Sequence, residues 1–278
     1  MFKRSLLALS LALAVPALGC GGSVTSEPPQ TADTATTKAP VAVNAHGPVK
    51  LFGEALGDVP LTAAQRTQIE QLATDAEARH ADARAARKDL MTVLATQVQA
   101  GQIDRTALQP KIDALTAAMQ KAQPGDRAAF EQLHAILDPQ QRTEFVDAVK
   151  AHIGEHKGEK HDRHASMKQW AADLQLSDDQ KAQIKSAIMD HMHAAGAAGG
   201  GHDWSQAKHQ GQDVMAAFAQ DRFVMNEVAP PRDVQAQVAK MTGHMLGLVE
   251  AALPVLTPQQ RVLAAQKLVE RADSIELQ

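Results

Sequence analysis

The chain has 278 residues, with 28 lysines and arginines against 32 aspartates and glutamates, a single cysteine, no tyrosine and only 3% aromatic residues. A formal charge of −4 with so few rings argues against a nucleic-acid partner, because phosphate binding needs a basic face and base stacking needs aromatic platforms. One cysteine rules out an intrachain disulfide and a thiolate zinc cluster.

The first twenty residues read as a targeting segment. Lys3 and Arg4 precede an apolar run from Leu6 to Leu18, too short to span a bilayer as a helix, and Ala17-Leu18-Gly19-Cys20 resembles a bacterial lipoprotein signal with its lipobox, although Ala17 stands where leucine is usual. On this resemblance Cys20 is expected to carry lipid and hold the protein on a membrane facing the periplasm. Gly21 rather than Asp leans towards the outer membrane. The competing reading is an ordinary cleaved signal that happens to end in cysteine. Residues 21–48, rich in Ser, Thr, Pro, Ala and Gly with no apolar period, are expected to form a flexible tether.

Beyond the tether, four copies of one short pattern punctuate the chain: Leu61-Thr62-Ala63-Ala64-Gln65, Leu137-Asp138-Pro139-Gln140-Gln141, Leu176-Ser177-Asp178-Asp179-Gln180 and Leu256-Thr257-Pro258-Gln259-Gln260. In each, a Thr, Asp or Ser serves as helix N-cap while a Gln three positions on reaches back to the cap's own amide, which satisfies two orphan donors reciprocally. Pro139 and Pro258 stand just inside their helices, where a missing amide costs nothing. The first and third copies start 115 residues apart and the second and fourth 119 apart, the trace left by duplication of a two-motif unit. This divides the chain into unit one at 49–152, a His-rich connector at 153–167 and unit two at 168–278. Each unit carries three more acidic than basic residues, counted over 51–150 and 168–278.

Ile69, Leu72, Ala76, Ala83, Leu90, Leu94 and Val98 recur at steps of three, four or seven and predict one amphipathic helix from Thr62 to about Gln99, ended by Gly101. Asp104 is expected to cap a second helix, with Ile103 and Leu108 stapled across the cap. Its stripe of Ile112, Leu115, Met119, Phe130, Leu133 and Ile136 continues to the second motif with a bend at Pro124-Gly125, and a short helix after Pro139 closes the unit. Unit two follows the same plan. Trp170 and Leu174 precede its first motif, Ile184 and Ile188 continue the stripe, the run Gly196 to Gly201 interrupts it, and the chain resumes at Trp204 with Pro230-Pro231 near a later helix start. No stretch combines alternation with β-branched enrichment, so an all-α protein with no sheet is expected.

Paired Leu-Thr-x-x-Gln motifs 76 and 80 residues apart in a helical, exported chain resemble the Spy/CpxP family, also called the LTXXQ-motif family, and the resemblance runs through each unit. It implies bent helical hairpins. Members similar to Spy are ATP-independent chaperones whose two subunits pair antiparallel into a cradle for partly folded clients; members similar to CpxP bind a sensor kinase and damp envelope-stress signalling; other relatives bind zinc or sense nickel and cobalt. This chain departs from the single-unit pattern, which implies either a monomer in which the two units pair as a pseudo-dimeric cradle or a homodimer. It departs also in charge, because the chaperone cradle is basic and both units here are acidic.

A surface that holds many clients must be apolar yet adaptable, which suits methionine. Met189, Met192, Met215, Met225, Met241 and Met245 in unit two, against Met91 and Met119 in unit one, are candidate client contacts; at helical spacing they read equally as core fillers, and Leu61, Leu137, Leu176 and Leu256 read as packing residues. His152, His156, His161 and His164 are candidate ligands for zinc, copper or nickel, with Glu155 or Glu159, against the plainer reading of solvated linker histidines; His191, His193, His202 and His209 form a second group. His152-Ile153-Gly154-Glu155-His156 also fits the H-x-x-E-H pattern of zinc proteases, but the all-α duplicated context is wrong for that fold. No phosphate loop, nucleophile elbow or triad is present, and the chain is not read as an enzyme. The expected function is an ATP-independent periplasmic holdase for unfolded envelope proteins; the alternative is a metal- or stress-responsive regulator acting on a sensor kinase or an export system.

Overall fold

A computed structural model describes residues 35–158, 169–195 and 204–274. Helix α1 (Gly47–Gly57) leads into α2 (Ala63–Ala100), which starts on the Thr62 and Gln65 capping box and stops at Gly101. Gly101 has φ 81°, and its amide and that of Gln102 both turn back to the Gln97 carbonyl, closing the last turn through a left-handed residue that only glycine adopts without strain. Asp104 accepts the Thr106 and Ala107 amides and starts α3 (Arg105–Ile136), which runs unbroken through Pro110 and Pro124; α4 (Pro139–Gly158) follows. The second half begins with a helical turn at 169–173 (α5), then α6 (Asp178–Ala195), α7 (Trp204–Phe218), α8 (Met225–Val228), α9 (Val234–Ala252), a 3-10 turn at Leu253–Val255 and α10 (Pro258–Ser274). The expected helical architecture is thus present, with its predicted starts at Thr62 and Asp104 and its stop at Gly101.

Two cores hold the molecule together, and each is shared between its two halves. Leu90, Leu94, Leu108 and Leu115, which flank the Gly101 turn, pack with Leu174, Val238, Leu253 and Leu256. Val59, Leu61, Leu137, Phe145 and Val149, near the first pair of motifs, pack with Phe218 and Phe223. The tip of each hairpin therefore fills the base of the other, and the two run antiparallel. Accordingly α2 packs on α10 as well as on α3, α3 packs on α9, and α4 reaches α7. A lone helical hairpin leaves part of each apolar stripe in water, and pairing with a second hairpin buries it. The described residues cluster as one compact body. Arg105 locks the tip of the first hairpin to Glu250 through two bonds of 2.7 and 2.6 Å, and this hydrogen-bonded pairing holds the Glu250 carboxyl below its ordinary range.

Five of the six phenylalanines, Phe52, Phe130, Phe145, Phe218 and Phe223, meet in the second core with ring centroids 4.7 to 5.8 Å apart. His134 packs on two of them and shares a 2.8 Å hydrogen bond with the Gln220 carbonyl at the tip of the opposite hairpin.

Three expectations need correction. The helix after Pro139 is not short but 20 residues long, so it runs through the boundary placed at 152 and into the connector; Phe145, Val146 and Val149 give it a buried face worth extending. The absence of sheet holds except for one antiparallel pairing of two residues each, β1 (Thr36–Thr37) with β2 (Leu61–Thr62). That pairing belongs to the third correction, for the tether assigned to 21–48 is docked over its last part. Val41, Ala42 and Ala45 are buried, Arg66 donates to the carbonyls of Thr37 (2.6 Å) and Ala39 (2.9 Å), and the Ala42 and His46 amides donate to Glu70 and Glu77, each at 2.9 Å. Composition missed this because the binding partners lie on α2 and no apolar period is needed to meet them.

Glu77 is the firmest point of that attachment. Burial opposes its ionisation, but the His46 amide, the His46 ring at 2.8 Å and Arg84 at 2.9 Å outweigh it and hold the carboxyl below its ordinary value of 4.5. A lowered folded-state pKa contributes stability at neutral pH that is lost as pH falls through the folded value. Glu77→Gln should therefore melt below the wild type at pH 7 and approach it as both are acidified below the ordinary value of 4.5. A gap of constant size across that range in thermal melts would contradict this assignment.

Candidate functional site

The four capping boxes form as the sequence predicts. The Gln65 carbonyl oxygen accepts the Thr62 amide (3.0 Å), Gln141 that of Asp138 (3.0 Å), Gln180 that of Ser177 (3.1 Å) and Gln260 that of Thr257 (2.9 Å), while Thr62, Asp138, Ser177 and Thr257 accept the glutamine amides in return. Leu61, Leu137 and Leu256 are buried and Leu176 half-buried at these starts.

What the sequence did not reveal is that the glutamines meet in pairs. Gln65 donates to the Gln141 side-chain oxygen at 2.7 Å and Gln141 returns the bond at 3.0 Å. Gln180 and Gln260 do the same at 2.8 and 3.0 Å. Each then spends its second amide hydrogen on the carbonyl just before the partner's motif: Gln65 on Ile136 (2.8 Å), Gln141 on Pro60 (2.7 Å), Gln180 on Val255 (2.9 Å) and Gln260 on Gln175 (3.4 Å). Every glutamine thus uses two donors and two acceptor sites, the full capacity of a primary amide. Glutamate has no hydrogens to give and would set two carboxylates face to face, and asparagine is one methylene shorter. The paired amides clasp the open end of each hairpin, where the chain leaves at one motif and returns at the other.

The arginine that follows the second motif of each half extends the clasp. Arg142 donates to the Leu137 carbonyl (3.1 Å) and on to Gln220 (2.7 Å), at the tip of the opposite hairpin. Arg261 donates to Leu256 (3.1 Å) and lies against Gly101, the tip of the first hairpin, so closely that a Cβ there would collide with its guanidinium. The two halves therefore grip each other's tips by equivalent residues.

The methionines divide. Met215 and Met225 are half-buried against the second core and Met245 against the first, so these three fill space. Met189 and Met192 on α6 and Met241 on α9 are 45%, 50% and 43% exposed, and α6 packs directly on α9. Among the described residues seven large apolar side chains are exposed, and these three are the methionines among them.

The histidine cluster is not assembled within the described part. His161 and His164 lie outside the described residues, as does the His156 side chain, and His152 is paired with Asp58 at 3.0 Å. Among the described residues no group of three or more His, Cys, Asp or Glu is placed to hold a metal ion. His191 and His244 have ring centroids 6.0 Å apart, and the His191 ring lies on Gly247, where any Cβ would strike it. Cys20 lies outside the described residues, and no helix among the described residues is long and apolar enough to cross a membrane.

The fold and the clasps define a class of helical protein in which paired Leu-Thr-x-x-Gln motifs close α-hairpins. Residues 54–148 match the model of the LTXXQ motif family, the Spy/CpxP-type family. No curated protein and no solved structure matches the chain. The second half lies beyond the matched segment, yet it reproduces the first half's clasp bond for bond.

Proposed function

We propose that this protein is an ATP-independent chaperone of the bacterial envelope that holds non-native polypeptides by reversible contact, anchored by lipid on Cys20. The observation that carries the reading is the exposure of Met189 and Met192 on α6 and of Met241 on α9, in the half of the chain that packs against the segment 54–148 matching the Spy/CpxP-type family. Unbranched thioethers repack around irregular apolar surfaces at little entropic cost, and such contacts release on their own, as binding without turnover requires. The two hairpins, each completing the other's core, support a single-chain pseudo-dimer in place of two subunits.

The test is suppression of client aggregation in metal-free buffer by the chain from Gly21 onward, at up to equimolar ratio. Suppression that weakens several-fold when Met189, Met192 and Met241 are all changed to Ser, with an unchanged melting temperature, supports the reading. No suppression by the parent chain overturns it. The second reading, a metal-responsive regulator that informs a sensor kinase or an export system, draws support from His191, whose Nε2 is buried without a hydrogen-bond partner beside His244. Calorimetric binding of zinc, copper or nickel, lost on His191→Ala or on replacement of His152, His156, His161 and His164, favours it.

A further inference from the structure

Thr36–His46 is held on α1 and α2 by a row of backbone hydrogen bonds, by the buried side chains of Val41, Ala42 and Ala45, and by side-chain bonds between the Thr37 hydroxyl and Arg66 and between the His46 ring and Glu77. Arg66 takes two of its carbonyls, Glu70 and Glu77 take two of its amides, and Thr36 and Thr37 ladder with Thr62 and Leu61. The three α2 side chains stand at i, i+4 and i+11, on one face of the helix. Backbone amides and carbonyls recur in any polypeptide, so over 36–41 this row reads an extended strand and its direction more than its sequence, before the segment turns through Ala42, whose carbonyl accepts the Ala45 amide.

The rest of the groove is shaped for the same guest. A Cβ at Gly53 would lie 2.6 Å from the Val41 carbonyl oxygen, and one at Gly57 would lie 3.4 Å from the Pro40 Cα, so these two α1 glycines let an extended main chain settle against the helix. Beside Ala42 and His46 of the segment is an open cavity of about 290 Å³, walled by Phe52, Leu56, Ile69, Leu72 and Phe130, which has room for a larger side chain than that of Ala42. The occupant is also strained: Ala42 sits at φ 53°, a left-handed conformation that non-glycine residues seldom adopt.

We infer that the α1–α2 groove is a binding site for extended apolar stretches of non-native polypeptide, and that Thr36–His46 fills it in cis as an internal competitor that an incoming client displaces. The identity of the guest as a client rests on the chaperone reading above; the groove and its competitor rest on the geometry alone.

The probe is a fluorescein-labelled peptide of residues 35–47, followed by anisotropy against the chain from Gly21 onward. Val41→Asp with Ala45→Asp removes the buried side chains of the competitor and leaves Arg66, Glu70 and Glu77 in place. It should bind the peptide at least tenfold more tightly than the parent, and adding Arg66→Ala and Glu70→Ala should abolish that binding. Ala42→Gly relieves the strained residue, seats the competitor more firmly and should weaken peptide binding several-fold. Equal binding by parent and unseated variant, or binding that survives loss of Arg66 and Glu70, overturns the inference. If the double aspartate variant is unfolded by circular dichroism, Ala42→Gly decides: unchanged affinity overturns it. The two proposals fail separately. Aggregation suppression by the parent that is no stronger in a folded unseated variant removes the groove and keeps the chaperone, whereas peptide binding to the unseated variant without suppression by either protein keeps the groove and removes the chaperone.

Discussion

Gln141→Ala should destabilise the protein by about 3 kcal/mol, far more than loss of a helix cap, which costs about 1 kcal/mol. Gln141 is buried, and its removal strips the Asp138 amide, the Pro60 carbonyl and both polar atoms of the Gln65 amide of a partner at once. Each polar group left buried without a partner costs on the order of 1–3 kcal/mol, offset in part where water enters the gap. Gln65→Ala should cost a similar amount, and the double variant should cost clearly less than the sum, because the second truncation removes groups the first had orphaned. Urea denaturation of the four proteins measures this directly. Strict additivity would mean that the two amides act as separate caps and that the reciprocal bonds contribute nothing. The equivalent cycle on Gln180 and Gln260 should give the same sign, with a smaller total because the Gln260 bond to Gln175 is long, at 3.4 Å.

Phe218→Ala should cost about 3–5 kcal/mol, the range for emptying a buried phenylalanine site. The ring is fully buried and touches Phe130, Phe145 and Phe223, with His134 edge-on. Phe218 belongs to α7 in the second half, while Phe130 and Phe145 belong to the first, so the cavity opens at the seam between the hairpins. The informative readout is cooperativity. Since each core draws on both halves, the variant should still unfold in a single transition shifted to lower denaturant, with hydrogen-exchange protection falling in α4 and in α7 together. Two separated transitions, or loss of protection in α7 alone, would show that the halves are independent domains that merely touch.

The starts and stops of the helices were legible because their causes are local. Thr62 with Gln65, Asp104 with the two amides it accepts, and Gly101 at positive φ each settle a terminus within four residues, and the 3.6-residue period of α2 needs no knowledge of its partner. The methionines were only half legible. Spacing placed all six on helices, but whether one is core or surface depends on which helix lies opposite, and so Met215, Met225 and Met245 became filler while Met189, Met192 and Met241 stayed exposed. Thr36–His46 read as tether because it is held by polar side chains some 30 residues away that take hold of its backbone, and backbone leaves no mark in composition.

The amino-acid sequence by itself determined an all-α chain, the four capped helix starts and the segment's kinship with the LTXXQ motif family, because capping, glycine stops and helical period are short-range and additive. Only the tertiary structure decided that the motif glutamines pair across 76 and 80 residues, that each hairpin's tip completes the other's base, and that the N-terminal segment fills a groove. Those outcomes depend on which buried donor finds which acceptor and which apolar stripe finds a second one, and such choices are settled by packing in space, where separation along the chain counts for little.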